Sequence, residues 1–225
     1  MLSRIQKGIV EVLFPVFCVS CGAEGEWCCR QCQEMLFRQA ILACPVCAKN
    51  TIAGGTCPAC GKQSPLKGLI AASSYADPVS RKLIKALKFD AAMEAAIFLK
   101  RMSTHAIGVA AAVANEAIVV PMPLHKKRER FRGYNQAEII VDAFFPGAKA
   151  NVLERIGYRK PQTELDEEER RINPQGVFRA KIKLNGETII LVDDVYTTGA
   201  TMNEAARILK EAGAGEIWGF VAARG

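Results

Sequence analysis

The sequence contains no stretch of about eighteen consecutive apolar residues, the length a helix needs to cross a bilayer. Its apolar start, IVEVLFPVF, is short and broken by Glu11 and Pro15, so neither a membrane span nor a secretory leader is expected, and the protein reads as cytoplasmic. There is no G-x-x-x-x-G-K-[ST]: Gly61-Lys62 runs into Gln63, which removes the phosphate loop of nucleotide hydrolases. A dinucleotide fingerprint is missing too, because Gly213-x-Gly215 reaches Trp218 where its third glycine would stand. Cysteine is absent after residue 60, and the two histidines, His105 and His125, read as polar surface residues.

What is present argues for two modules, one of them small. The 225 residues exceed the usual single-domain length, and 50% are hydrophobic, enough for a real core. With 24% charged residues disorder is not expected, and a net charge of +7 favours anionic partners such as polyphosphates, nucleic acid or an acidic membrane surface.

Eight of the nine cysteines fall as C-x-x-C knuckles. Cys18 and Cys21 precede Cys29 and Cys32, and Cys44 and Cys47 precede Cys57 and Cys60, each block offering four thiolates at spacings used for tetrahedral zinc. A segment this poor in large apolar side chains needs a staple, and metal supplies the missing core better than disulfides would. Sequential pairing of knuckles is expected, although spacing alone leaves a cross-braced pairing of the first and third open. Cys28 is the odd thiol; the regular knuckle with Cys32 makes Cys29 the expected ligand. Gln63, Ser64 and Pro65 interrupt the pattern, placing a boundary between a zinc module at 1–66 and an α/β module at 67–225.

Ile189 to Thr201 reads IILVDDVYTTGAT. The apolar run fits a buried parallel strand, and Thr201, Met202, Ala205, Ala206 and Leu209 have the spacing of a helix packed back onto the sheet. The turn Thr197-Thr198-Gly199-Ala200-Thr201 is then a helix N-terminus, where unpaired N–H groups, hydroxyls and a close-approach glycine suit a phosphate monoester. Asp193 and Asp194, at the strand's carboxyl end, can accept hydrogen bonds from vicinal ribose hydroxyls. The segment therefore reads as a phosphoribosyl site.

Upstream, Leu69 to Ser73 is expected as an edge strand. Pro78 opens a helix whose Val79, Leu83, Ile84 and Leu87 share one face, with Lys82, Lys85 and Lys88 as a solvated basic face in preference to a nucleic-acid groove. Ala117 to Val120 forms a short strand ending at Pro121. Lys126, Lys127, Arg128, Arg130 and Arg132 then crowd around a single acid, Glu129, before Gly133 and a helix with Ala137, Ile140, Val141 and Phe144 inward. A strand end, a flexible glycine and guanidinium groups suit a diphosphate. The polar stretch from Arg155 to Arg179 reads as a lid.

The aspartate motif resembles the phosphoribosyl pyrophosphate motif of type I phosphoribosyltransferases. With the cysteine-rich start, SYADPVSRKLIKALKF at 74–89, PMPLHKKRERFRGYNQAE at 121–138, QTELDEEERRINPQGVF at 162–178 and VAAR at 221–224, nearly the whole chain is similar to the ComF family of competence-associated proteins. The resemblance implies an α/β fold of the type I phosphoribosyltransferase class, with a parallel central sheet behind a double zinc ribbon. It makes Leu124 to Asn135 the pyrophosphate loop and carries over Arg132, Gly133 and Asn135, with Lys126 and Lys127. It also implies a flexible loop containing Gln162, Arg170 and Asn173, whereas Gly157 and Arg159 depart from the family's arginine and threonine run. Implied partners are phosphoribosyl pyrophosphate with magnesium, single-stranded DNA and DNA-uptake proteins; Phe131, Tyr134 and Tyr196 are candidate stacking groups. Two classes follow: a phosphoribosyltransferase with an unknown acceptor, in which the aspartates orient the sugar during catalysis, and a DNA-handling accessory protein using the cradle as a switch.

Overall fold

The computed structural model describes residues 15–26, 28–35, 40–89, 93–113, 116–157 and 176–225. The expected loop residues Gln162, Arg170 and Asn173 lie outside them, as do Glu167 to Glu169 and Arg159.

A mostly parallel five-stranded sheet organises the chain. Its strands are β1 (Ile41–Leu42), β2 (Gly68–Ala71), β3 (Ile118–Pro121), β6 (Ile189–Tyr196) and β7 (Ile217–Arg224), in the order β1-β2-β7-β6-β3. β2, β7, β6 and β3 run parallel and β1 antiparallel to β2. Strands buried on both faces carry near-continuous apolar runs, as IILV of β6 does. A second ribbon, β4 (Leu153–Arg155) against β5 (Phe178–Ala180), is antiparallel.

Helices cover both faces. One face receives α2 (Pro78–Phe89), α3 (Met93–Met102), α4 (Thr104–Val113) and α6 (Gln136–Phe144), whose Leu83, Leu87, Leu99, Ala106, Ile140 and Phe144 pack with Ile190, Val192 and Phe220 of the sheet. The opposite face receives α7 (Ala200–Glu211) and the β4–β5 ribbon, with Met202, Ala205, Ala206 and Leu209 against Ile189, Leu191 and Val221. The inward faces expected for α2 and α6 are buried, as are Met202, Ala205, Ala206 and Leu209 of α7, with Thr201 half-buried at its start. Two shorter helices complete the set, α1 (Arg30–Met35) and α5 (Lys126–Arg132). Among the described residues no helix is long and apolar enough to cross a membrane.

Two local expectations differ from what forms. The edge strand expected at Leu69–Ser73 is β2 at Gly68–Ala71, and it is interior, because Ile41 and Leu42 from the cysteine-rich segment pair with Ala71 and Ile70. A two-residue strand carries no periodicity that a sequence could display. The stretch Leu124–Asn135 is a short helix, α5, more than a loop: His125 caps it by accepting from Lys127 N at 3.2 Å, and Gly133 ends it in the left-handed region at φ 82°.

Candidate functional site

The carboxyl ends of β3 and β6 lie side by side, with Pro121 opposite Val192 and Met122 N donating to Val192 O at 2.8 Å. The segments leaving those two strands are the basic helix α5 and the turn before α7. Parallel pairing thus brings together the two elements that the sequence marks for anions, at the edge where open α/β sheets receive ligands.

Successive strand residues face opposite ways, so the aspartate pair is divided between two environments. Asp194 is buried on the α2 side, with Lys88 Nζ 2.7 Å from its Oδ2 in an ion pair. The other oxygen, Oδ1, accepts from Val195 N at 2.8 Å. Asp193 Oδ1 accepts from Asp194 N at 2.8 Å. Burial, then the neighbouring Asp194 charge, push the Asp193 carboxyl well above the usual carboxylate range. Lys88 is therefore not simply solvated, whereas Lys82 and Lys85 are exposed as expected, Lys82 also donating to Val19 O at 3.0 Å.

The turn after β6 is built on backbone. Gly199 takes φ 75° and caps α7, and a Cβ there would stand 2.1 Å from the Tyr196 hydroxyl, so the turn closes directly over that ring. Thr197 and Thr198 are exposed, Ala200 and Thr201 half-buried, and Thr198 Oγ1 accepts from Ala200 N at 3.4 Å. The helix N-terminus directs its first N–H groups and its positive end to the same point.

Across from it, none of the seven α5 residues is buried, and Phe131 is 95% exposed between Arg130 and Arg132. Arg132 Nη1 donates to Gln136 Oε1. Asn135 is buried and committed to the scaffold: its Oδ1 caps α6 by accepting from Ala137 N at 3.0 Å, and its Nδ2 donates to Met122 O at 3.1 Å. It holds α5 in place more than it offers a donor to a ligand. Arg155, at the end of β4, stacks 5.5 Å from the Phe178 ring centroid with its Nε buried and without a partner among the described residues. Burial and the Arg128 charge lower its pKa, opposed by Asp193. His125 is pulled below its usual value by burial, then by Arg155, Lys127 and Arg128. So many cations crowding one spot favour a bound anion.

The thiols form two sequential tetrads, Cys18, Cys21, Cys29, Cys32 and Cys44, Cys47, Cys57, Cys60, with all four sulfurs of each within 4.8 Å of one another. A tetrahedral zinc with bonds of about 2.3 Å sets its sulfurs about 3.8 Å apart. Cys21 to Cys29 at 3.6 Å and Cys47 to Cys57 at 3.8 Å fit that spacing. Burial opposes ionisation of Cys18 and Cys44, but backbone N–H groups of Cys21, Cys29 and Ser20 for the first, and of Cys47, Cys57 and Val46 for the second, outweigh it and bring both thiols down to about 6, into the range of ready metal ligands. Cys28 stands outside the tetrad, buried, its thiol pushed up to about 12.

The sequence model of the phosphoribosyl transferase domain matches residues 104–223, more than half of the chain. DNA utilization protein YhgH of Salmonella typhi is 29% identical across 84% of this chain and 88% of its own length. Competence protein F of Haemophilus influenzae is 33% identical across 47% of this chain and 50% of its own, and competence protein ComFC of Bacillus subtilis 38% identical across 43% and 39%. The chain is a phosphoribosyltransferase-family protein of the ComF group.

Several residues around this ComF-group site escape a linear reading. Lys88 meets Asp194 from a helix more than a hundred positions upstream. Tyr196, a candidate stacking group by sequence, is 3% exposed, its hydroxyl donating to Pro45 O at 3.2 Å. Tyr134 donates to Leu87 O at 2.8 Å. His105 accepts from Ala40 N at 3.3 Å, tying α4 to the cysteine-rich segment. Only pairing across the fold could have revealed these; the one sequence signal was the polar end of an otherwise apolar terminal strand, at Arg224.

Proposed function

We propose that the protein binds phosphoribosyl pyrophosphate with magnesium at the carboxyl ends of β3 and β6, and single-stranded DNA over the basic surface of α5, in DNA uptake and natural transformation. The observation that carries the reading is the pairing of β3 with β6, which sets the aspartates and the turn at 197–201 beside α5. The turn takes the 5-phosphate through backbone N–H groups and the Thr198 and Thr201 hydroxyls. Asp193 and Asp194 accept from the ribose hydroxyls. Lys126, Lys127, Arg128 and Arg132 neutralise the diphosphate, with Gly133 giving the chain its turn. Magnesium would be held with the ligand near Asp193 and Asp194 and would supply the charge neutralisation that eases departure of pyrophosphate. As pyrophosphate leaves, the aspartates stabilise the positive charge growing at the anomeric carbon.

The competence and DNA-utilization names of the relatives support the DNA role. Phe131 offers a base an aromatic face amid phosphate-binding charges. Each cysteine tetrad holds one structural zinc, in a cytoplasmic protein whose cysteine-rich module ends near residue 66. DNA-uptake proteins are the expected partners.

A second reading, a ligand-responsive switch without turnover, is favoured by the Lys88–Asp194 pair: a ribose reaching Asp194 competes with Lys88 and so acts on α2. Incubation with magnesium and phosphoribosyl pyrophosphate, with and without single-stranded DNA, separates the two. DNA-dependent pyrophosphate release means transfer; binding without release means the switch; no binding overturns both.

A further inference from the structure

The two tetrads are chemically alike, but the second is tied to the phosphate turn. Tyr196 immediately precedes that turn, and its hydroxyl supports Gly199 from below. The same hydroxyl donates to Pro45 O, inside the Cys44–Cys47 knuckle, at 3.2 Å. Arg224 donates from Nη1 to Ala43 O at 3.1 Å and from Nη2 to Cys44 O at 3.0 Å, with its guanidinium carbon 5.7 Å from the Tyr196 ring centroid. Gly225 N closes the set on Tyr196 O at 2.9 Å. Beyond the last ligand, Ser64 Oγ donates to Asn203 Oδ1 in the first turn of α7 at 2.9 Å. The first tetrad sends its contacts elsewhere: Val19 O takes Lys82, and Cys18, Cys28 and Cys32 join the apolar cluster containing Val79 and Leu83 of α2.

Three consecutive carbonyls, at 43, 44 and 45, therefore serve as acceptors for the residues beneath the turn, and their places are set by a knuckle that metal closes. Released from the ion, the knuckle keeps the burial of Ala43, Cys44 and Pro45 and the bonds Cys44 N to Lys49 O and Ala48 N to Cys44 O, but its exposed arm at Val46 and Cys47 loses its anchor and the carbonyls are held less firmly. The buried Tyr196 hydroxyl and the Arg224 guanidinium then lose their acceptors, which is costly for groups shielded from water. The ring is free to shift against Gly199, and the amides that would receive a phosphate shift with it.

We infer that Tyr196 and Arg224 are positioning residues that make the phosphate affinity of the 197–201 turn depend on metal held by Cys44, Cys47, Cys57 and Cys60. This rests on the sugar-phosphate reading of that turn. Linkage is reciprocal, so a sugar phosphate on the turn must also tighten metal in the second tetrad.

The test uses the full chain and ribose 5-phosphate, a probe that binds the turn without magnesium and so is indifferent to removal of that ion by a chelator. Calorimetry on metal-loaded and metal-stripped protein should give affinities differing by roughly tenfold, within the usual range of coupling between sites. On intact loaded protein, ribose 5-phosphate should slow the transfer of one of two zinc equivalents to a chromogenic chelator. In Tyr196→Phe, with its fold checked by melting, that protection should disappear. Equal affinity in both metal states, or zinc transfer indifferent to the sugar phosphate, overturns the coupling while leaving the site. Should stripping unfold the chain, the zinc-transfer arm decides alone. Failure of loaded native protein to bind ribose 5-phosphate overturns the site reading and the coupling with it.

Discussion

At the end of β6 the chain presents backbone to any anion that docks there; at the end of β3, next door, it presents side chains. The turn at 197–201 is fixed by the left-handed Gly199, by the buried Tyr196 ring below and by the start of α7, so its geometry is set before any ligand arrives. The helix α5 has no buried residue, and its charges sit on long side chains over a scaffold held by Asn135. Preorganised donors suit one phosphate in one pose, whereas mobile cations suit any polyanion and lose their hold as salt rises. The two neighbouring surfaces would differ in selectivity for that reason.

The largest effect should come from the fitted side. Asp193→Asn with Asp194→Asn removes charge-assisted hydrogen bonds worth about 1.5–3 kcal/mol each, so phosphoribosyl pyrophosphate affinity should fall by more than roughly tenfold in calorimetry. Single-strand DNA affinity should stay within about twofold of wild type. Equal losses for both ligands would merge the two surfaces into one.

Gly199→Ala comes next. A Cβ in the left-handed region costs about 1–2 kcal/mol, and here it also meets the Tyr196 hydroxyl. Sugar-phosphate binding should drop while DNA binding persists, by titration of both ligands against one preparation; intact sugar-phosphate binding would show that the turn is not the fitted element.

On the mobile side, alanine at Lys126, Lys127, Arg128 and Arg130 should flatten the salt dependence of single-strand binding by about 0.7 in log–log slope for each lost phosphate contact. Phe131→Ala should lower affinity by about 1–3 kcal/mol if a base stacks there, without changing that slope. An unchanged slope in the fourfold variant would confine the charges to the diphosphate.

The smallest effect is in stability. Asp193 has a folded pKa above its unfolded value, so its contribution is complete below the unfolded pKa of about 3.9 and is lost as pH rises through the folded pKa. Melting of the ligand-free Asp193→Asn variant should therefore be higher than wild type at neutral pH, and the gap should close on acidification. A gap that is flat with pH would mean the carboxylate is not strained.

Most of the architecture was legible because it is written in periodicity. Leu83, Ile84 and Leu87 of α2, Ile140 and Val141 of α6, and Ala205, Ala206 and Leu209 of α7 are where their spacing puts them, and IILV forms a strand buried on both faces. The choice of Cys29 over Cys28 followed from knuckle spacing alone. What stayed hidden has no local pattern. Nothing near Asp194 announces Lys88, nothing near Tyr196 announces Pro45, and the two-residue β1 is too short to alternate. Asn135 was legible as important and its capping of α6 is local, but its second bond depends on where Met122 lies in space.

That short strand also protects the molecule. Without Ile41 and Leu42, β2 would be the rim of the sheet, offering the unsatisfied main chain of Gly-Leu-Ile-Ala, four residues that are apolar and fully buried. Such a rim is a template for pairing with another chain, and two-residue strands blunt it by being too brief to recruit a neighbour themselves. The segment that carries the second set of thiols therefore also covers a sheet edge that would otherwise invite self-association.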